Sequence, residues 1–168
     1  MVKALKRLAL VAMVIAAMTS CRFEHRVVEE VYGDGSPKRV CIYKGRGAEK
    51  ELLKETTYYP NKQMQMEGTY KDDKREGKWT YWYENGNLWS EGFFQRGKSN
   101  GKRTTYFENG KIRYEGDYKE DMRVGKCKYY DETGTLLKEV DYTSPGKMQE
   151  TFDIGRRDGE RFALLHRR

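Results

Sequence analysis

A glycine-anchored motif recurs every 24 residues, and this period constrains the fold more than any other feature of the chain. The doublet Glu67-Gly68 returns as Glu91-Gly92 and Glu115-Gly116 and degenerates to Glu139-Val140. Two further sets keep the same step, namely Gly77, Gly101 and Gly125, and Gly86, Gly110 and Gly134. A fixed period of this length is typical of repeat proteins, in which each unit is one supersecondary element stacked on its neighbours.

Within one unit the residues favour a β-hairpin. Residues 81–83 are strand-forming aromatics, Asn85-Gly86 is a strong turn signal, and residues 88–94 provide the return strand. Asn-Gly predicts a two-residue type I′ turn, because both central residues of that turn need a positive φ. Six-residue loops are expected to join the hairpins, at residues 71–76, 95–100 and 119–124.

The predicted turn sets a strand register, in which alternate side chains share one face of the sheet. It pairs Tyr83 with Leu88, Tyr81 with Ser90 and Trp79 with Gly92, and in the next unit Phe107 with Ile112. A glycine opposite a large side chain leaves room for that side chain to lie flat over the backbone. We therefore interpret Gly68, Gly92 and Gly116 as packing positions.

The other face carries the column Glu67, Glu91, Glu115 and Glu139, and the last three are predicted to pair with Thr80, Thr104 and Lys128. We interpret this column as a solvated structural ladder. The same register pairs Trp82 with Trp89, Tyr106 with Arg113, and Tyr130 with Leu137. Because Trp, Tyr and Arg dominate the energetics of protein contacts, the candidate contact surface is Trp82, Trp89, Tyr106, Arg113 and Tyr130. The alternative is that these side chains merely cover the sheet.

The N-terminus has the parts of a secretory signal, with a basic start, an apolar stretch at residues 8–18, and small or polar residues before Cys21. The sequence Met18-Thr19-Ser20-Cys21 resembles the lipobox of bacterial lipoproteins, in which the cysteine is lipidated. We predict a signal helix in residues 1–20 and a lipid anchor on Cys21, which implies the bacterial cell envelope, at the outer membrane. The alternative is an ordinary signal peptide, which would give a periplasmic or secreted protein.

Composition argues against several functions. Removal of residues 1–20 would lower the net charge from +7 to +4, and acidic and basic residues are interspersed, so no nucleic-acid partner is expected. His25 and His166 are the two histidines, which gives no histidine-rich metal site and no plausible Ser-His or Cys-His pair. We therefore predict a non-enzymatic protein without cofactor or metal. Cys41 and Cys127 would lie roughly 30 Å apart in an extended sheet and are predicted to be unpaired.

The repeats resemble the MORN type, in the bacterial variant often described as YwqK-family antitoxin. The resemblance rests on the stretches Tyr83-Glu84-Asn85-Gly86, Glu91-Gly92-Phe93-Phe94 and Gly77-Lys78-Trp79, which recur in phase over residues 55–142. It implies an all-β fold, an elongated single-layer antiparallel meander of stacked hairpins. Before the array, residues 21–54 are interpreted as a short tether and a divergent first repeat with a three-residue insertion at 45–49; after it, residues 143–168 are interpreted as a degenerate cap.

The resemblance implies a scaffold for protein contacts, and the predicted lipid anchor on Cys21 would hold it in the envelope. One alternative is contact with membrane lipid head groups or a surface glycan through Lys78, Lys102, Lys126 and the tail at 161–168. A second alternative is a neutralising, antitoxin-like role. The sequence predicts neither the identity of the protein partner nor the oligomeric state.

Overall fold

A single antiparallel sheet makes up the fold in the computed structural model, which describes residues 23–143 and the backbone of residues 149–151. The strands lie in sequence order, each beside the next. They are β1 (Glu24–Val31), β2 (Pro37–Lys44), β3 (Glu51–Tyr58), β4 (Met64–Lys71), β5 (Lys74–Trp82), β6 (Leu88–Gln95), β7 (Lys98–Tyr106), β8 (Ile112–Lys119), β9 (Met122–Tyr130), β10 (Leu136–Asp141) and β11 (Gln149–Thr151). The all-β meander is thus confirmed. The predicted signal helix, Cys21 and most of the predicted cap lie outside the described residues.

The Asn-Gly turns are three-residue loops, so the prediction of type I′ turns at these positions is wrong. The amide of Tyr83 donates to the carbonyl of Asn87 at 2.8 Å. The amide of Gly86 donates to the carbonyl of Tyr83 at 2.9 Å. Gly86 has a φ of 85°, whereas Asn85 does not have a positive φ. Asn85 serves through its side chain instead, because its Oδ1 accepts the amide of Asn87 at 2.9 Å. This is a type I turn closed by a left-handed glycine.

The tight type I′ geometry occurs at the connections between repeats, which were predicted to be six-residue loops. β4 runs to Lys71 and β5 begins at Lys74, leaving two residues in the turn. Both have a positive φ, 50° for Asp72 and 57° for Asp73. The other two connections are alike: Arg96 and Gly97 have φ of 51° and 87°, and Glu120 and Asp121 have φ of 51° and 69°. The strands therefore continue through most of the predicted loops.

Each Asn-Gly hairpin also contains a β-bulge, which corrects the predicted register near the turn. Tyr81 pairs with Ser90 and Trp79 with Gly92, as predicted, but Trp82 pairs with Leu88 instead of Trp89. The predicted pair Tyr83–Leu88 is wrong as well, and in the next unit Tyr106 replaces Phe107 opposite Ile112. The bulge compensates for the odd number of residues in the turn, so the register in the middle of the strands is unaffected.

The bulge leaves one residue in the second strand of each of these hairpins without a partner across the ladder. We call these residues the bulge row: Lys38, Gln65, Trp89, Arg113 and Leu137. All are exposed. They recur on every second strand, which corresponds to steps of roughly 10 Å across the sheet.

Tyrosines at the Asn-Gly turns join successive hairpins. The hydroxyl groups of Tyr32, Tyr59 and Tyr83 donate to the backbone carbonyls of Tyr58, Trp82 and Tyr106 at 2.6, 2.9 and 2.8 Å. Tyr32 begins a turn of the same form, since its amide donates to the carbonyl of Ser36 at 2.8 Å. The hairpin β1–β2 therefore shares the local geometry of the later repeats. A short 3-10 helix, Gly47–Glu49, occupies the insertion that follows it.

The sheet has two unlike faces. We call one the aromatic face, which carries Trp79, Phe94, Arg103 and Tyr114, and the other the glutamate face, after its column of glutamates. Trp79 and Cys127 are fully buried although the sheet has one layer. Cys41 and Cys127 are both free thiols, which confirms that they are unpaired.

Candidate protein-interaction surface

On the glutamate face, every glutamate of the column is paired with a lysine. Each glutamate of the column accepts an ion pair from a lysine on the neighbouring strand: Lys54–Glu67 at 3.0 Å, Lys78–Glu91 at 2.6 Å, Lys102–Glu115 at 3.1 Å and Lys126–Glu139 at 2.8 Å. The predicted pairs of Glu91, Glu115 and Glu139 with Thr80, Thr104 and Lys128 are confirmed. This column is a structural ladder with its counterions in place.

Tyrosines add to the ladder and affect its protonation. The hydroxyl of Tyr106 donates to Glu91 at 3.1 Å, and that of Tyr130 donates to Glu115 at 2.8 Å. The hydrogen bonds from Tyr130 and Lys102 hold the pKa of Glu115 below its ordinary value, against the opposing effect of burial. Burial and the bond to Glu115 raise the pKa of Tyr130 to about 12. Both groups therefore keep their neutral-pH protonation states, and neither is suited to proton transfer near pH 7.

The aromatic face is built around Trp79, whose ring lies over the backbone of Gly68. A Cβ atom at Gly68 would stand 2.2 Å from the indole ring, so only glycine fits. The indole N–H donates to the carbonyl of Thr69 at 3.2 Å, and the rings of Tyr70 and Phe94 meet Trp79 edge-on at 5.2 and 5.9 Å. The predicted role of Gly68 as a packing position is thus confirmed. The ring covers the glycine of the preceding hairpin, not its ladder partner Gly92.

Three arginines lie against aromatic rings of this face. The guanidinium carbon of Arg75 is 4.4 Å from the centroid of Trp79 and 5.4 Å from that of Phe94. Arg103 follows at 5.7 Å from Phe94 and 5.2 Å from Tyr118, and Arg123 donates through Nε to the Tyr118 hydroxyl at 3.3 Å. We call Arg75, Arg103 and Arg123 the arginine row. Such contacts favour a cation held flat against a ring face.

The structure does not bring the five predicted contact residues onto one face. Trp89 turns toward the aromatic face at the bulge, where its ring lies 5.8 Å from Tyr81 and 6.2 Å from Tyr83. Arg113 lies over the Phe107 ring at 5.6 Å. Both belong to the exposed bulge row.

The remaining candidates stay on the glutamate face. Trp82 alternates with Tyr81 along β5, and Tyr106 and Tyr130 bind the glutamates through their hydroxyl groups. All three are half-buried. The proposed surface therefore divides into an exposed pair and a supporting set.

Sequence reasoning missed the arginine row and the tyrosines that join the turns. A signal for the tyrosines was present, since Tyr59 and Tyr83 are one period apart and directly precede the turn residues. Arg75 and Arg123 lie two periods apart, with Ser99 at the intermediate position, so periodicity alone did not reveal them. Their importance depends on the ring beneath each one, which only the packing shows.

Among the described residues, the Cys41 thiol and the grouping of possible metal ligands bear on whether a reactive site is present. Burial raises the pKa of the Cys41 thiol, which disfavours the reactive thiolate. Within residues 23–143, no group of three or more His, Cys, Asp and Glu side chains could hold a metal ion. In the same part of the chain, no helix has the length and apolar character that crossing a bilayer requires.

Comparison with protein families identifies the repeats. The family model for the MORN repeat variant matches residues 53–72, 75–96 and 99–120, and the model for the MORN repeat matches residues 114–136. The first three matches coincide with the hairpins β3–β4, β5–β6 and β7–β8. Residues 53–136 are therefore an array of MORN and MORN-variant repeats, a scaffold that is typically used for protein interaction and is usually non-catalytic. No curated protein matches the chain.

Proposed function

We propose that the protein is a non-enzymatic scaffold, anchored in the cell envelope through a lipid on Cys21, that binds a protein partner with its aromatic face. The observation that carries this proposal is the bulge row. One structural position is exposed in every hairpin, and its side chain changes from repeat to repeat: Lys38, Gln65, Trp89, Arg113 and Leu137. A constant backbone with variable exposed side chains is suited to recognition of a particular partner.

Exposure and residue type support protein contact at the centre of this row. Trp89 and Leu137 are 44% and 48% exposed, and the sheet does not need either of them as core. Trp and Arg are enriched among residues that dominate binding energies, and Trp89 and Arg113 are neighbours in the row. The aromatic rings of Tyr81 and Tyr83 hold Trp89 in place and so reduce the entropy lost on binding.

Site-specific photocrosslinking in cells tests this proposal. A photoreactive aromatic amino acid is placed at Trp89, Arg113 or Leu137 of the full chain. Matched controls carry it at Phe93 or Asp117, which are exposed on the strands of Trp89 and Arg113 but on the glutamate face. We expect one protein adduct shared by the bulge positions and absent at the controls. Equal adducts at both sets, or adducts confined to the glutamate face, would overturn the proposal.

The lipid anchor has a separate test. We expect Cys21→Ser to move the protein from the membrane fraction to the soluble fraction and to abolish labelling by an alkyne fatty acid. Retention of the label in this variant would contradict acylation at Cys21.

Binding of lipid head groups or a glycan by the lysine row is less well supported. Lys78, Lys102 and Lys126 are each occupied by a glutamate, so an anionic ligand would have to compete with a carboxylate already in place. An antitoxin-like role draws on the sequence resemblance alone, and no described feature favours it.

A further inference from the structure

The arginine row is a series of cations that lie over aromatic rings and not against carboxylates. Within residues 23–143, Arg75, Arg103 and Arg123 form no ion pair with a carboxylate. On the opposite face, four lysines beside the glutamate column are each paired with a glutamate, namely Lys54, Lys78, Lys102 and Lys126. The aromatic face therefore carries three positive charges in one row that have no carboxylate counterion.

The geometry of the row prepares it for a planar anion. Arg75 and Arg103 share the Phe94 ring, and Arg103 and Arg123 share the Tyr118 ring, so the three guanidinium groups form a continuous series. A guanidinium held against a ring has lost much of its rotational freedom and still presents N–H groups at its edge. Such groups bind carboxylates through two parallel hydrogen bonds.

We propose that the arginine row binds a carboxylate-rich, acidic segment of the partner protein; this proposal rests on the function proposed above. Charge complementarity indicates the occupant, because Arg75 and Arg123 are exposed and the row has no internal counterion. A bilayer is less suitable, since Trp79 is fully buried and Phe94 and Tyr114 are 8% exposed, so the rings under the row cannot insert into lipid. Trp89, whose ring contacts Tyr81 and Tyr83 on the same face, would supply an apolar contact.

Titration calorimetry with a short poly-glutamate peptide tests the proposal on the purified full chain at low ionic strength. In the test variant, Arg75→Ser and Arg123→Ser introduce the residue found at position 99, and Arg103→Gln removes the third charge. The control variant, Lys78→Gln with Lys102→Gln and Lys126→Gln, removes the same number of charges from the other face. We expect the arginine variant to lose at least about tenfold in affinity and the lysine variant less than about threefold.

Equal losses in the two variants would overturn the proposal, because they would indicate attraction by net charge alone. Failure of the wild-type chain to bind the peptide would overturn it too, as would binding of phosphatidylglycerol vesicles or inorganic phosphate in preference to the peptide. If the test variant does not fold, a variant with all three arginines changed to lysine keeps the charge and removes the planar fork. We expect it to bind at least about threefold more weakly, and an unchanged affinity would contradict the proposal.

The two proposals can fail separately. If crosslinks form at the bulge row but the arginine variant binds the peptide as tightly as the wild type, the proposal of an acidic segment is wrong and the proposed scaffold function stands. Crosslinks spread over both faces would remove the scaffold function whatever the peptide does.

Discussion

On the glutamate face, Lys78, Lys102 and Lys126 each meet a carboxylate, whereas on the aromatic face Arg75, Arg103 and Arg123 lie over rings without one. Both faces belong to the same strands and share the 24-residue period. The difference shows that one repeat can separate two tasks, because alternate residues of a strand point to opposite sides. The glutamate face stabilises the sheet, and the aromatic face combines a buried support with exposed residues available for contact.

The largest expected loss of stability comes from a substitution beneath the aromatic face, and two equivalent glycines allow a matched comparison. Gly68→Ala would place a methyl group 2.2 Å from the buried Trp79 ring, whereas Gly92→Ala meets the flexible Arg103 side chain at 3.2 Å. We expect Gly68→Ala to lower the free energy of unfolding by about 3 kcal/mol and Gly92→Ala by less than about 1 kcal/mol. Urea denaturation measures both.

A second substitution checks the cause of that difference. In a Trp79→Arg background, which introduces the residue found one repeat later, Gly68→Ala should cost much less than in the wild type. An equal cost in both backgrounds would show that the ring is not the obstacle.

The glutamate face is predicted to respond to acid. Because the pKa of Glu115 is lower in the folded protein than its ordinary value of 4.5, its contribution is present above that value. It is lost as the pH falls through the lower, folded pKa. We expect the unfolding free energy to decline below about pH 4.5, and the decline to be shallower in Glu115→Gln. Denaturation at a series of pH values measures it, and Tyr130→Phe should have an intermediate effect. An identical decline in wild type and Glu115→Gln would contradict the role of the ladder.

The stability of the sheet along the edge formed by the Asn-Gly turns should depend on the tyrosine hydroxyl groups. Tyr83→Phe removes the hydrogen bond to the Tyr106 carbonyl and should cost about 1 kcal/mol. Phe107 stands one repeat later and has no hydroxyl, so Tyr83→Phe copies a native arrangement and should not disturb packing. A thermal midpoint equal to that of the wild type would show that the bond contributes nothing.

The smallest effect is expected at the opposite edge. Arg96 has a φ of 51° in a type I′ turn, a conformation that favours asparagine or glycine. Arg96→Asn creates an Asn-Gly pair and should raise the unfolding free energy by about 0.5 kcal/mol, measured by urea denaturation. A loss of stability would mean that the arginine side chain has a role that the turn geometry does not explain.

These outcomes depend on details that the sequence predicts unevenly. The period, the hairpins and the register at Trp79–Gly92 and Glu91–Thr80 follow from the spacing of the glycines and glutamates. The turn types do not, because Asn-Gly fits both a type I′ turn and a type I turn closed by a glycine. The two turn types differ by one residue in the pairing next to the turn. Trp89 consequently lies on the face opposite to the predicted one.

The candidate surface was less predictable than the fold. Trp89 and Arg113 were recognised from residue type, but their exposure comes from the bulge, a feature of backbone geometry. The arginine row depends on which ring lies beneath each guanidinium. The rings do not follow the repeat period, because the position of Trp79 is occupied by Arg103 and Cys127 in the next two repeats. Long-range packing of this kind has no local sequence signal.

The central claim is that the aromatic face, and not the glutamate face, binds the partner. The most direct measurement is the affinity of two variants of the full chain for the partner protein that photocrosslinking identifies. One carries glutamine at Trp89, Arg113 and Leu137, as found natively at Gln65, and the other carries Phe93→Thr, which copies Thr69 on the glutamate face. We predict a loss of at least about tenfold for the first and less than about twofold for the second. Wild-type affinity in the first variant, or an equal loss in the second, would contradict the claim.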